Sequence, residues 1–249
     1  MWDLHTGQHV AIATGYIKSI AALSGGRFAT APHDAPTAAV WDAATAKRVC
    51  ELQGHTGNVN CVAAFPGDLV ATGGSDDMTV RIWYAATGTR RAPPLTGHTN
   101  CVNALAMLPD GRLASGSSDN TVRLWDISTR DSAVLQHDNT VDVLAALEGG
   151  CLASGCWKKI FLWNTTSGER EALLEGHTEW VRSLAALPQG LLASGSDDTT
   201  VRVWNVVART CVVMLQGHSG SARGLAALPD GRLASGDGAG VIRVWELRH

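Results

Sequence analysis

The stretches LASGSSDNTVRLWD at residues 113–126, LASGSDDTTVRVWN at 192–205 and LASGDGAGVIRVWE at 233–246 are nearly the same text written three times. Each starts about a dozen residues before a tryptophan. Upstream of them, and of a more divergent copy, lie GHTGNVNCVAAF at 54–65, GHTNCVNALAML at 97–108, GHTEWVRSLAAL at 176–187 and GHSGSARGLAAL at 217–228. Tryptophan itself keeps the period. Trp2, Trp41, Trp83, Trp125, Trp163, Trp204 and Trp245 recur every 38 to 42 residues, a spacing at which self-similarity signals propellers or solenoids.

Within one unit, runs of β-forming residues are cut by turn residues every eight to twelve positions, which predicts strands and no helix. Four strands fit each unit. Around Trp125 they fall at Arg90–Leu95, Cys101–Leu108, Arg112–Gly116 and Thr121–Trp125, with Pro109-Asp110-Gly111 as a turn. The fold class expected is all-β.

These residues resemble the WD (Trp-Asp) repeat family, whose unit pairs a Gly-His dipeptide with a Trp-Asp dipeptide about 28 residues later. The resemblance covers essentially the whole chain. Trp-Asp is literal at Trp2-Asp3, Trp41-Asp42 and Trp125-Asp126, and drifts to Trp83-Tyr84, Trp163-Asn164, Trp204-Asn205 and Trp245-Glu246. The family implies a β-propeller of four-stranded antiparallel blades, with strands a to d running from the inside outward. Residues 1–249 then read as one domain of six repeats, ending near Trp41, Trp83, Trp125, Trp163, Trp204 and Trp245. A leftover strand at Gln8–Ala13 would complete the last blade and close the ring, because an open sheet edge is an aggregation hazard. The abrupt start within the tail of a repeat leaves a truncated seven-bladed protein as the alternative.

His, Ser or Thr, and Asp recur together: His55 with Thr72 and Asp77, His98 with Ser115 and Asp119, His177 with Ser194 and Asp198. Each trio imitates a hydrolase triad. An enzyme needs one such constellation beside an oxyanion hole, whereas three copies at one phase of a repeat imply a shared architectural task. By the resemblance, each trio joins Trp83, Trp125 or Trp204 in a buried hydrogen-bonded chain. Such a chain lets each group satisfy the next, where an unpaired buried polar group costs roughly 1–3 kcal/mol. The pattern has gaps. The first unit has Thr30 and Trp41, but Ala13 and Ala35 at the His and Asp positions. The fourth has His137, Ser154 and Trp163 with Trp157 at the Asp position, and the sixth has His218, Ser235 and Trp245 with Ala239 there. Those three blades are expected to be the less rigid ones.

Lys plus Arg number 20 against 23 for Asp plus Glu, so no basic field invites nucleic acid or an anionic membrane. The six cysteines form no CxxC pair and no finger-like spacing with His, so no metal site is expected. No apolar leader or membrane-length run is present, and the thiols read as reduced, in an intracellular, cytoplasmic protein. GxxxxGK[ST], GxSxG and HExxH are all missing, and neither a cofactor nor catalysis is expected.

Two tryptophans break the period. Trp157 falls in the b–c turn of the fourth blade and Trp180 opens strand a of the fifth, on the rim that family members often use for partners. With Lys158, Lys159 and Arg182 nearby, they form an aromatic anchor edged by positive charge, suited to a peptide carrying an acidic or phosphorylated residue. The competing reading has Trp157 turned inward to fill the space of the missing Asp, and Trp180 covering a blade junction. A second candidate is the residue after the first core position of each strand a: Lys18, Asn60, Asn103, Asp142, Arg182 and Arg223. These would line the channel mouth, where a small anion or only water could sit.

The function expected is therefore a non-catalytic, monomeric scaffold that binds a protein or peptide on the b–c/d–a loop face. The alternatives are an assembly piece of a larger protein and an idealised propeller with no specific ligand.

Overall fold

The computed structural model describes residues 16–247, and every regular element among them but one short 3-10 turn at Glu148–Gly150 is a strand. The residues assigned to a closing strand, Gln8–Ala13, lie outside the described residues, as do Trp2 and Asp3. The strands fall into six antiparallel sheets, each hydrogen-bonded in simple chain order. Short turns join neighbouring strands, so every register is set locally.

The chain divides into two compact units, residues 1–107 and 108–249. In the first unit, β1 to β4 (Ile17–Leu23, Arg27–Pro32, Thr37–Asp42, Arg48–Gln53) form one sheet, and β5 to β7 (Val59–Phe65, Leu69–Gly74, Val80–Tyr84) form the next. The outer strand expected at Arg90–Leu95 is reduced to two bridges, Val80 to Leu95 and Trp83 to Arg90. Pro93 and Pro94 lie between those bridges and have no amide hydrogen to give a ladder. The third sheet runs β8 to β11 (Val102–Met107, Leu113–Ser117, Thr121–Trp125, Ser132–Gln136). The second unit, which takes in β9 to β11, also holds β12 to β15 (Val143–Ala146, Cys151–Cys156, Lys159–Asn164, Arg170–Leu174) and β16 to β19 (Val181–Leu187, Leu191–Ser196, Val201–Asn205, Thr210–Leu215). Its last sheet has three described strands, β20 to β22 (Ala222–Ala227, Leu233–Asp237, Ile242–Trp245).

The second strand of each sheet explains the LASGS text. In β9 all five residues are buried, and in β17 five of six are. A strand covered on both faces has room only for small side chains on its crowded side, which is why Ala, Ser and Gly alternate there. Gly155 shows the constraint: a Cβ would stand 2.5 Å from Val143 Cγ1 and 3.2 Å from Val181 Cγ1. The third strand contributes the bulk. Val201 and Val203 are buried with Ala193, Ala222 and Leu233 in one cluster, and Trp204 packs with Leu162, Val181 and Leu192 in another. In the first unit, Ala31, Val40, Val59, Val62 and Trp83 share a cluster that joins its first two sheets.

Turns follow the residues that can make them. The Pro109-Asp110-Gly111 turn is present, with Gly111 at φ 93° and the Leu108 amide returning to the Arg112 carbonyl at 2.9 Å. No helix among the described residues is long and apolar enough to cross a membrane.

Candidate functional site

The polar chains inside the sheets come first, because they define which side chains are unavailable for chemistry. In the second sheet, Trp83 Nε1 donates to Thr72 Oγ1 at 2.8 Å, Thr72 Oγ1 lies 2.7 Å from His55 Nε2, and His55 Nδ1 lies 2.8 Å from Asp77 Oδ2. The indole can only donate, so the Thr72 hydroxyl hydrogen is left for Nε2. The His55 proton then sits on Nδ1 and is given to the carboxylate. Burial opposes ionisation of Asp77, but hydrogen bonds from His55 and Thr79 outweigh it and hold the carboxyl well below the usual range.

The fifth sheet repeats the chain through Trp204, Ser194, His177 and Asp198 at 2.8, 2.7 and 2.7 Å. Burial raises the Asp198 carboxyl, yet Thr200 and His177 carry it down to about 2. In the third sheet Trp125 Nε1 donates to Ser115 Oγ at 2.8 Å, His98 is buried, and Asp119 accepts from the Thr121 amide and hydroxyl. A nucleophile between an indole and an imidazole, with no open side, cannot meet a substrate. In the first sheet Trp41 Nε1 reaches Thr30 at 2.9 Å. Ala13 lies outside the described residues.

The gap expected in the last sheet is filled. His218 Nε2 meets Ser235 at 2.6 Å, Trp245 Nε1 donates to Ser235 at 2.7 Å, and His218 Nδ1 pairs with Asp237 Oδ2 at 3.0 Å. Asp237 stands two residues before Ala239, where the other sheets carry Ser75, Ser117 or Ser196. The turn folds so that this earlier side chain supplies the carboxylate, and the Ala239 and Val241 amides brace it from the other side. The Val241 amide, ahead of His218, brings its carboxyl down to about 2.

The gap in the fourth sheet is real. Trp163 Nε1 donates to Ser154 at 2.9 Å and His137 Nε2 lies 3.3 Å away, but His137 Nδ1 is buried with no hydrogen-bond partner among the described residues. Phe161 packs edge-on against that ring at 4.9 Å. Desolvation pushes the His137 pKa down to about 4.

Trp157 does not fill the missing place. It sits in the turn between β13 and β14 in the left-handed region, φ 53°, with 44% of its surface exposed. That conformation is costly for a bulky aromatic residue. Lys158 Nζ stands 4.9 Å over the ring, and the Trp157 carbonyl accepts from the Val181 amide at 2.7 Å. Trp180, just ahead of β16, is half-buried under the Arg182 guanidinium at 5.0 Å, and its carbonyl accepts from the Asp197 amide. These backbone bonds bring the two tryptophans to one rim of the second unit.

The cations around them are partly committed. Arg182 binds Asp197 through Nε at 2.7 Å and Nη2 at 2.5 Å, and Lys159 lies 3.3 Å from Glu175. Asp197 was not singled out by the repeats, although the Asp197-Asp198 doublet marks it: one carboxylate serves the buried chain and the other the rim. Of the channel-mouth candidates, Lys18 Nζ donates to Asn60 Oδ1 at 2.7 Å in the first unit. In the second, burial raises the Asp142 carboxyl to about 6 against the pull of Arg182, and its Oδ2 is buried with no hydrogen-bond partner among the described residues. Arg223 acts on Asp197 alongside Arg182.

No group of three or more His, Cys, Asp or Glu among the described residues is arranged to hold a metal ion. Burial pushes the Cys61 thiol up to about 12 and the Cys151 and Cys156 thiols to about 11, which leaves them unreactive at neutral pH.

Repeated four-stranded units carrying a Trp–Ser/Thr–His–Asp chain define a β-propeller repeat protein. A family model for the WD domain, G-beta repeat, matches residues 46–84, 90–126, 168–205 and 209–246, and the chain belongs to the WD40 family. Among individual proteins it is similar to SCD1 of Arabidopsis thaliana, a DENN domain and WD repeat-containing protein, at 33% identity over 94 residues. That match takes in 33% of this chain and only 7% of the relative's length. The crystal structure of the computationally designed Ika8 protein superposes with a TM-score of 0.78 at 27% identity, covering 93% of this chain and 71% of that one. WD40 propellers generally act as protein-interaction scaffolds.

Proposed function

We propose that this chain is a non-catalytic binding module that takes a protein or peptide on the rim built from the b–c turns and d–a connections, centred on Trp157 and Trp180. The observation that carries this reading is Trp157 itself: a large aromatic side chain left substantially exposed at a left-handed turn position. Tryptophan supplies much contact area at low entropic cost and is enriched among interface hot spots. Lys158 over its ring supports a ligand that places an acidic or phosphorylated residue beside an apolar one.

The test is capture of partners by the parent chain against a Trp157→Ala/Trp180→Ala double variant, with thermal unfolding of both. Loss of capture at an almost unchanged midpoint supports the rim as a binding site. A large drop in the midpoint assigns the two rings to packing instead. The similarity to repeats embedded in the much longer SCD1 supports a second reading, in which the module serves assembly within a multidomain protein.

A further inference from the structure

The turn that should carry an aspartate in the fourth sheet is short. In the second, third and fifth sheets a residue in the left-handed region follows the aspartate at once: Met78 after Asp77, Asn120 after Asp119 and Thr199 after Asp198, at φ 54°, 65° and 67°. Trp157, at φ 53°, takes that left-handed place in the fourth sheet, but the residue before it is Cys156, the last of β13. Cys156 pairs with Lys159, so only Trp157 and Lys158 make the turn, where residues 197–199 lie between Ser196 and Thr200. Cys156 in turn matches Ser196: its thiol donates to the Asn139 carbonyl at 3.3 Å, as the Ser196 hydroxyl donates to that of Glu179 at 3.1 Å. The position that holds Asp77, Asp119 and Asp198 is missing from this turn.

The atom left behind is a donor. Trp163 Nε1 gives its hydrogen to Ser154 Oγ, which leaves the Ser154 hydrogen for His137 Nε2 and the imidazole proton on Nδ1. His137 is 8% exposed, and its Nδ1 has no hydrogen-bond partner among the described residues. A buried N–H without an acceptor is costly. The carboxylates that fill this place in the second and fifth sheets have side chains 9% and 7% exposed, so it lies just beneath the rim. A second donor converges there, the amide after the histidine: Thr178 at 3.1 Å in the fifth sheet and Ser219 at 3.3 Å in the last. In the fourth sheet that amide belongs to Asp138. The exposed Asp138 carboxylate opposes an incoming anion, while Arg170, Lys158 and Lys159 favour it.

We propose that this place takes the carboxylate of an aspartate or glutamate from the bound partner, with His137 Nδ1 and the Asp138 amide donating to it and Trp157 and Lys158 flanking its entry. The proposal rests on the rim reading above for the ligand being a protein or peptide, and narrows its acidic group to a carboxylate. The volume left by one missing aspartate side chain suits a planar carboxylate better than a tetrahedral phosphate. The partner then completes across the interface the buried chain that Trp163, Ser154 and His137 begin.

Nuclear magnetic resonance of the His137 ring nitrogens in the full chain tests this at neutral pH, with acetate as the minimal carboxylate. The signals are assigned by their loss in His137→Phe. Acetate is expected to displace them saturably, and chloride and inorganic phosphate at equal ionic strength to leave them in place. Cys156→Asp puts a carboxylate at the phase from which Asp237 reaches His218, and is expected to abolish the acetate response. Cys156→Ser, with the residue of the fifth sheet, is expected to keep it. Should Cys156→Asp fail to melt cooperatively, the Trp163 indole N–H gives a second reading: it should follow acetate in the parent and not in His137→Phe. No response to acetate overturns the proposal, and so does an equal response to phosphate. Partner capture that needs Trp157 and Trp180 but ignores His137→Phe overturns it too, and leaves the rim reading standing. An acetate response beside capture indifferent to both tryptophans supports the carboxylate site and overturns the rim reading.

Discussion

Asp237 Oδ2 lies 3.0 Å from His218 Nδ1, although it stands two residues earlier in its repeat than the carboxylates that meet His55 and His177. The polar chain of the last sheet is thus closed by a different residue reaching the same point in space. Asp237→Ala should lower the melting temperature and leave His218 Nδ1 unpaired in a buried site. Adding Ala239→Asp to that variant should restore part of the loss, because it returns the carboxylate to the position used elsewhere. Differential scanning calorimetry of the three chains decides it.

Thr72 holds two partners at once, Trp83 Nε1 and His55 Nε2. Thr72→Val keeps the shape and removes both bonds, so unfolding in denaturant should show a loss of roughly 1–3 kcal/mol. An unchanged midpoint would mean that the buried chain contributes nothing to stability.

Two groups of the fourth sheet should respond to pH in opposite senses. The folded pKa of His137, about 4, lies below its usual 6.5, so the stability tied to its neutral form is complete above pH 6.5 and is lost as pH falls towards 4. Asp142 is raised to about 6, so its contribution is complete below pH 3.8 and is lost as pH rises through 6. Asp142→Asn should therefore be the more stable chain at pH 8, by about 1 kcal/mol once its partial contact with water is allowed for. The difference should close between pH 6 and 4. Equal stabilities across that range would contradict the burial of Asp142.

Glycine at the centre of a second strand is required only where another sheet presses on it. Gly155→Ala should cost about 1–3 kcal/mol through the clash with Val143 and Val181. Among the described residues nothing stands within 4 Å of a Cβ on Gly236, so Gly236→Ala should stay within about 0.5 kcal/mol of the parent. Paired chemical unfolding curves at low protein concentration make the comparison.

The all-β class, the strand phases and the Trp83 and Trp204 chains were legible because each repeats: a period exposes any feature tied to one position of the unit. Features that depend on a shift within the unit were not. Asp237 was hidden because it occupies a phase where the other repeats carry serine, and only the turn's path shows that it reaches His218. The weak fourth strand before Leu95 was legible in principle from Pro93-Pro94, yet the alternation around it still reads as a strand. The outward turn of Trp157 was undecidable from composition, since a missing aspartate frees volume that an indole could fill. It shows only in the structure, where 44% of the Trp157 surface is exposed. Arg182 read as a free positive charge until Asp197 was placed against it, a contact between residues 15 apart that no motif encodes.

Because each sheet, among the described residues, is stitched from consecutive strands in simple order, a whole unit can be copied or lost in a gene without rethreading the polypeptide. Contacts of such short range also shorten the search during folding. The near-verbatim agreement of residues 113–126 and 192–205 is what that kind of history leaves behind: a length of chain that can be duplicated as one piece, then edited at its turns while its strands stay the same.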